Sequence, residues 1–243
     1  MRGVRASLIV TGTDTGVGKT IVTAAIAAAA SAAGLAVAVV KPCQTGIDPE
    51  ADDLTAGDEP DADVVARLAA PAFATTLETY AAPLAPAVAA RLARRPALAL
   101  DTVIDTVRTL QGVHDLVVIE GAGGVLVPMG DQAWTVIDLA MALSAPAVIV
   151  ARSGLGTLNH TALTRMALAS RGVRDLVVLG SWPKAPALVD RTNLRELPAI
   201  AGAVPEGAGT LPGDEFRAQA PQWLAPELHG SLNTEAFTVM MRR

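Results

Sequence analysis

Short runs of Val, Ile and Leu alternate with longer Ala-rich segments along most of the chain. Short apolar runs without polar alternation are typical of strands that are buried on both faces of a parallel sheet. They predict strands at residues 7–11, 36–40, 115–119, 145–150 and 175–179. The segments between them predict helices at residues 19–33, 61–70, 84–94, 100–111, 134–143, 157–171 and 187–197. This alternation predicts a doubly wound α/β fold, with a mainly parallel sheet flanked by helices.

The length of 243 residues is compatible with one large domain or two small ones, at roughly 150 residues per domain. A single α/β domain over residues 1–230 is the simpler interpretation. Residues 231–243 are interpreted as a C-terminal tail to which no regular structure is assigned. Residues 47–63 contain eight acidic side chains together with Pro and Gly, a composition typical of a solvated loop.

Composition narrows the classes of function. The apolar run after residue 7 ends at Thr11 and Gly12, which is too short for a signal peptide, and no run approaches the roughly 18 apolar residues of a membrane span. A single cysteine, Cys43, excludes an internal disulfide and fits a reducing compartment, so a cytoplasmic location is expected. The net charge of −5 argues against nucleic acid or an anionic membrane as the partner and favours a small-molecule substrate.

The clearest chemical motif is a phosphate-binding loop at residues 11–20, which read TGTDTGVGKT. It follows a predicted strand and precedes a predicted helix, so its backbone N–H groups and the helix N-terminus would surround phosphate oxygens. Lys19 would reach the β- and γ-phosphates, and the Thr20 hydroxyl would face Mg²⁺. Five residues rather than the usual four separate Gly12 from Gly18, so the loop is a variant of the motif.

Two further predicted strands end in charged residues. Residues 36–46 read AVAVVKPCQTG and place Lys41 at a strand end, and residues 116–124 read LVVIEGAGG and place Glu120 at another. Ligands of open α/β sheets bind outside the carboxyl ends of the strands. Lys19, Lys41 and Glu120 are therefore expected to converge, as two cations and one carboxylate able to bind Mg²⁺.

These segments resemble the dethiobiotin synthetase family, the ATP-dependent carboxylases that close the ureido ring in biotin synthesis. The resemblance is carried in family order by residues 11–20, 41–46, 120–124 and 154–161, the last of which read GLGTLNHT. It implies a ligase that converts 7,8-diaminononanoate, CO₂ and ATP to dethiobiotin, ADP and phosphate through a carbamate and a carbamic-phosphoric anhydride. It also implies a homodimer in which the start of the helix at 157–171 meets the carboxylate of substrate bound to the partner subunit.

The resemblance implies roles for individual residues. The implied catalytic residues are Lys41, Lys19 and Thr15. The implied Mg²⁺ ligands are Thr20, Asp61 and Glu120. The implied nucleotide-binding residues are Gly16, Val17, Gly18, Lys19, Thr20, Ile21, Asp61, Glu120, Gly121, Ala122, Gly123, Gly180, Ser181, Val204, Pro205 and Glu206. The implied contacts to the diamine substrate are Thr45, Thr157, Leu158 and Asn159, of which Thr157 and Asn159 are also candidate helix caps.

Asp61 is chosen among several acidic residues. It opens a predicted helix six residues before Arg67, as the Ser-Asp-Ala segment of the family does. The other candidates are Asp52, Asp53, Asp58 and Asp63.

The chain departs from the family where adenine is recognised. Residues 180–183 read GSWP in place of an Asn-Asp pair, which predicts a base contact through backbone or Ser181 and relaxed selectivity for ATP.

Three alternatives remain. A ParA/MinD-like switch ATPase would act through a protein partner, but Asp14 and Thr15 occupy the positions of the second lysine and first glycine of its loop. An amidotransferase of the cobyrinic-acid type would need a glutaminase domain with a nucleophilic Cys, and Cys43 lies beside the lysine loop. The third alternative is a non-catalytic nucleotide-binding module, which would not need Lys41, Thr45 and Glu120 together.

Overall fold

A computed structural model describes residues 6–47 and 59–240 of the protein, and seven strands within these ranges form one parallel sheet. The strands are β1 (Ala6–Gly12), β2 (Val37–Thr45), β3 (Phe73–Tyr80), β4 (Leu116–Gly124), β5 (Ala147–Ala151), β6 (Asp175–Trp182) and β7 (Ile200–Pro205). Their order across the sheet is β3-β2-β4-β1-β5-β6-β7, so β1 lies at the centre. The carboxyl ends of β1, β2 and β4 therefore meet at one edge of the sheet.

Helices cover both faces of the sheet. They are α1 (Lys19–Ala32), α2 (Asp61–Ala69), α3 (Pro86–Leu92), α4 (Leu100–Gln111), α5 (Val136–Leu143), α6 (Thr157–Ala169), α7 (Leu188–Glu196), α8 (Gly213–Gln219) and α9 (Thr234–Met240). Short 3₁₀ turns lie at Asp131–Ala133, Ala208–Thr210, Ala220–Trp223 and Pro226–Leu228. Within the described ranges, no helix has both the length and the apolar character that crossing a membrane requires.

Alternation along each strand divides the core into two layers. Ile9 of β1 packs on the side of α3, α4 and α5, whereas Leu8 and Val10 pack on the side of α1, α2 and α8. Because successive side chains of a strand point to opposite faces, a strand with helices on both sides must be apolar at nearly every position. For this reason, short continuous apolar runs in the sequence predicted the central strands.

The helix α1 is the most tightly buried helix of the second layer. All nine residues from Val22 to Ala30 are buried, and seven of them have no accessible surface because alanine lets the helix approach the sheet closely. It also packs against α2 and the turn at Ala220–Trp223. This helix begins directly at the phosphate loop, so its packing determines where that loop lies.

The predicted doubly wound fold is confirmed, including the five predicted strands and the seven predicted helices. Two edge strands were not predicted. The strand β3 reads FATTLETY and is only partly buried, so it lacks a continuous apolar run. The strand β7 reads IAGAVP, and its Gly202 approaches the backbone of Trp223 too closely for a side chain.

The structure also contains two short helices, α8 and α9, where the sequence pattern assigned none. In the segment interpreted as a tail, Phe237 of α9 makes an edge contact with Trp182 of β6, with 5.6 Å between ring centroids. This contact packs α9 against the sheet. A helix of seven residues is too short for its apolar positions to show a helical period in the sequence.

We predict that Ala27→Leu destabilises the fold by about 2 kcal/mol, because Ala27 is fully buried and the added carbons must displace neighbours in a close-packed core. Ala32→Leu, on the exposed last residue of the same helix, should change the free energy of unfolding by less than about 0.5 kcal/mol. Urea denaturation of both variants measures the difference. Equal effects would show that α1 does not pack as described.

Candidate active site at the carboxyl edge of the sheet

The phosphate loop connects β1 to α1 through two glycines in left-handed backbone conformations, Gly16 (φ 69°) and Gly18 (φ 95°). Gly18 is also the N-cap of α1, so the N–H groups of the first turn face the loop. A Cβ on Gly18 would lie 2.7 Å from the carbonyl oxygen of Gly180 at the end of β6. Glycine is therefore required there both by the backbone conformation and by the close approach of β6.

Lys19 folds back over this loop. Its Nζ donates a hydrogen bond to the carbonyl oxygen of Asp14 at 3.0 Å. Burial and the neighbouring charge of Lys41 lower the pKa of Lys19, although Glu120, Asp61 and Asp14 oppose this. The first residue of α1 thus places a largely desolvated amine at the mouth of the loop.

Lys41 lies between two carboxylates from different elements. Its Nζ is 2.8 Å from Oε1 of Glu120 and 2.5 Å from Oδ2 of Asp61, and it also contacts the carbonyl oxygen of Gly121 at 3.4 Å. Lys41 and Glu120 are only 4% and 1% exposed, since they lie on the adjacent strands β2 and β4, one residue beyond the paired Val40 and Ile119. Burial disfavours the charged amine, but Glu120 and Asp61 outweigh it and raise the pKa of Lys41 to about 12. Lys41 is consequently a fixed cation.

Asp61 is brought to this position by the start of α2. Its backbone N–H donates a hydrogen bond to Oε1 of Gln44 at 3.2 Å. The N-cap residue Pro60 makes no side-chain cap hydrogen bond, so Gln44 satisfies one of the free N–H groups at the start of the helix. Burial raises the pKa of the Asp61 carboxyl, but Lys41 and the hydroxyl of Thr20 outweigh that effect and lower it. Asp61 is therefore held as a carboxylate.

Thr20 lies between the same two carboxylates. Its Oγ1 is 2.8 Å from Oδ1 of Asp61 and 3.0 Å from Oε1 of Glu120. A hydroxyl carries one hydrogen and can satisfy only one of these oxygens as a donor. Three oxygen atoms are thus concentrated at one point, and hard oxygen donors of this kind are the ligands that Mg²⁺ prefers. The residues present fit a magnesium ion.

Two clefts open on either side of the phosphate loop. The first has a volume of about 790 Å³ and contains the charged groups, with Thr45 and Leu84 on its outer wall. The second has a volume of about 360 Å³ and lies between the loop and the ends of β6 and β7. Its walls are mostly backbone and small side chains, including Gly180, Ser181 and Pro205. The arrangement suits a ligand whose polyanionic part lies on the loop and whose less polar part occupies the second cleft.

Comparison with known proteins gives the family. A family model described as an AAA domain matches residues 6–210. The chain is 50% identical over 222 residues to "ATP-dependent dethiobiotin synthetase BioD" of Rhodococcus jostii (strain RHA1), covering 89% of this chain and 93% of that protein. It is 48% identical to the protein of the same name from Streptomyces coelicolor, covering 95% and 96%. The chain belongs to the ATP-dependent dethiobiotin synthetase family.

Solved structures agree with the fold. The septum site-determining protein MinD complexed with Mg-ADP from Pyrococcus horikoshii OT3 matches with a TM-score of 0.52 and 19% identity, covering 90% of this chain and 95% of that one. At this identity the likeness shows the shared fold alone. Membership of the synthetase family therefore rests on the sequence relatives. The switch-ATPase alternative is supported only by distant structural similarity.

Most residues that the resemblance singled out line the two clefts. Those in the first cleft are Thr15, Gly16, Gly18, Lys19, Thr20, Ile21, Lys41, Thr45, Asp61, Glu120, Ala122 and Gly123. Those in the second are Gly16, Val17, Gly18, Ile21, Gly180, Ser181 and Pro205. Val204, in the edge strand β7, is fully buried, and the Glu206 carboxylate accepts a hydrogen bond from the backbone N–H of Lys184. Their roles remain predictions of the family resemblance.

Thr157, Leu158 and Asn159 line neither cleft in this chain. Thr157 is buried at the start of α6, whereas Leu158 and Asn159 are exposed. The prediction of Thr157 or Asn159 as a helix cap is wrong, because Gly156 is the N-cap with a left-handed backbone and no side-chain cap bond is formed. Of the acidic alternatives to Asp61, Asp63 is exposed, and Asp52, Asp53 and Asp58 lie outside the described residues.

Sequence reasoning missed two residues at the phosphate loop and its carboxylates. Gln44, which holds the start of α2, lies inside the segment KPCQTG but had no separate signal. Arg152 donates hydrogen bonds to Oδ2 of Asp14 and to the carbonyl oxygen of Thr15, both at 3.2 Å. Its position after β5 could be recognised only once the sheet order was known.

Proposed function

We propose that this protein forms dethiobiotin from 7,8-diaminononanoate, CO₂ and ATP, with the chemistry at the first cleft and the nucleoside in the second. The observation that carries the proposal is the buried Lys41 held by Glu120 and Asp61 beside a phosphate loop, in a chain of the synthetase family. In the reaction one amine adds to CO₂ to give a carbamate, and a carbamate oxygen attacks the γ-phosphorus as ADP leaves. The second amine then attacks the carbonyl carbon and expels phosphate.

Charge neutralisation is the main demand of this chemistry, because a carbamate anion must approach a triphosphate. Lys41 is held as a cation by Glu120 and Asp61, so it contributes positive charge at the site of phosphoryl transfer. Lys19, at the loop, would follow the γ-phosphoryl group. Thr45, on the cleft wall, would contact the diamine.

Mg²⁺ would be held by Thr20, Asp61 and Glu120. When bound it would supply positive charge that offsets the negative charge of the phosphates. Because Lys41 already binds both carboxylates, these residues are held close together before any ligand arrives. Such preorganisation lowers the cost of assembling the charged site.

We expect the base of the nucleotide to be recognised with low selectivity. The second cleft presents glycine backbone, Pro205 and the exposed Ser181, and no amide or carboxylate side chain of the end of β6. A hydroxyl both donates and accepts hydrogen bonds and so discriminates little among bases.

We also propose that the protein forms a homodimer and that it acts in the cytoplasm. Large apolar side chains are exposed at the start of α6 and along it, namely Leu155, Leu158, Leu163 and Met166. Leu155 is 94% exposed, and exposed apolar groups of this density are typical of protein interfaces. Association through this face would bring Leu158 and Asn159 toward the partner's diamine.

The experiment that tests the function measures phosphate release from Mg·ATP with bicarbonate, with and without 7,8-diaminononanoate, and detects dethiobiotin by mass spectrometry. We expect release to depend on the diamine, with one dethiobiotin formed per phosphate. A matching monoamine, which can form a carbamate but not a ring, should give no cyclic product. Hydrolysis that ignores the diamine would contradict the proposal and favour a switch ATPase. Repeating the assay with CTP and GTP measures base preference.

We predict that Lys41→Gln lowers kcat at least about a hundredfold, because a fixed cation at the transferring phosphate is lost. ATP affinity should change little, since Lys41 lies outside the phosphate loop. Lys184→Gln, an exposed lysine near neither carboxylate, is the matched control. Isothermal titration with ATP and steady-state kinetics separate the two effects, and circular dichroism confirms that the variant is folded. Wild-type turnover in Lys41→Gln would remove the assigned role.

We predict that Asp61→Asn raises the Mg²⁺ concentration for half-maximal rate at least about tenfold, because an amide is a weaker ligand than a carboxylate. Asp63→Asn is an unusually close control, since Asp63 lies two residues away in the same helical turn but is exposed. Titration of MgCl₂ at fixed ATP measures the difference. If both variants behave like wild type, a residue of the acidic segment 48–58 becomes the better candidate.

A further inference from the structure

The connection between β5 and α6, residues 152–156, is a loop that touches both the phosphate loop and the second cleft. Arg152, Ser153 and Gly154 line that cleft. Arg152 also binds the carboxylate of Asp14 and the carbonyl oxygen of Thr15. The position of this connection therefore affects the shape of the second cleft and one side of the phosphate loop.

Two polar side chains of α7 hold this connection. Nδ2 of Asn193 donates to the carbonyl oxygens of Ser153 at 2.8 Å and Gly154 at 2.9 Å. The hydroxyl of Ser153 donates to Oδ1 of Asp190 at 2.7 Å. Ser153, Asp190 and Asn193 are all at most 9% exposed. Buried polar groups are costly unless they are paired, so this network specifies one loop conformation.

The contacts exceed what α7 needs for its own stability. The second carboxylate oxygen of Asp190 already binds the N–H of Ala187 at 2.8 Å, at the start of the helix. Packing of α7 onto the sheet is supplied by Leu194, which is 1% exposed. Asn193 could be apolar without loss of this packing, yet it directs both of its amide hydrogens to successive carbonyl groups of the loop.

We propose that Asn193 and Asp190 are positioning residues that fix the 152–156 connection and through it the affinity of the nucleotide cleft. This inference rests on the proposed function, since it takes the second cleft as the nucleoside site. The residues act through the loop and touch no reacting atom. They set nucleotide binding and leave the chemistry at Lys41 unchanged.

The test compares Asn193→Leu, which keeps a similar volume but loses both donors, with Ser153→Ala, which removes the bond to Asp190 but keeps the backbone carbonyl that Asn193 binds. Leu194→Ala is the control for loss of α7 packing without loss of a loop contact. For each protein, the Kd for ATP is measured by calorimetry, kcat and KM for ATP by dethiobiotin formation, and stability by thermal melting.

We expect Asn193→Leu to raise Kd and KM for ATP about tenfold and Ser153→Ala about threefold, with kcat at saturating ATP within about twofold of wild type. Leu194→Ala should lower the melting temperature but leave KM unchanged. Loss of stability without a change in Kd in both loop variants would overturn the inference. If Asn193→Leu does not fold, Ser153→Ala alone decides by the same criterion. A wild-type protein that makes dethiobiotin but shows unchanged variants rejects only this inference, whereas one that binds no ATP rejects the proposed function as well.

Discussion

The site depends on the burial of one lysine between two carboxylates. Removing Lys41 and Glu120 from water costs several kcal/mol for each ion, and only mutual pairing makes this tolerable. Neighbouring parallel strands bring the two residues together. The Lys41 ammonium has three N–H donors, however, and Glu120 does not satisfy all of them. Asp61 must come from outside the sheet, and it requires α2 to begin at one definite place. The charge pairing thus determines the position of a helix as well as the chemistry of the cleft.

A second constraint is steric and joins the two halves of the sheet. A Cβ on Gly180 would lie 1.9 Å from the carbonyl oxygen of Val17, so β6 ends directly against the phosphate loop. Side chains large enough to recognise a base are thereby excluded from this contact. Under the proposed function, recognition of the base would then pass to backbone groups and to Ser181, which also lines the second cleft. On that proposal, the same close approach that shapes the phosphate loop would limit the selectivity for the base.

The sequence alone could predict the parts of this site that depend on local pattern. The loop at residues 11–20, Lys41 and Glu120 each follow a strongly apolar run of the sequence, so both their identity and their edge of the sheet were predictable. The strands β3 and β7 were not, because edge strands are covered on fewer sides and carry Thr, Glu, Gly or Pro. Gln44, Arg152 and Asn193 were missed since their partners lie 17, 138 and 40 residues away. Such contacts have no periodicity to detect.

The division into two clefts has a consequence for how the protein can vary. Charged chemistry is confined to the ends of β1, β2 and β4, where every change disturbs a buried ion pair. The proposed nucleoside side, at β5, β6 and β7, is mostly backbone, and α7 holds it through the neutral amide of Asn193 and the buried carboxylate of Asp190. Replacing a neutral contact costs far less than leaving a buried charge unpaired. Under the proposed function, changes at Gly180 and Ser181 cost less than changes at Lys41, Asp61 or Glu120, which is consistent with a second cleft that lacks the expected Asn-Asp pair.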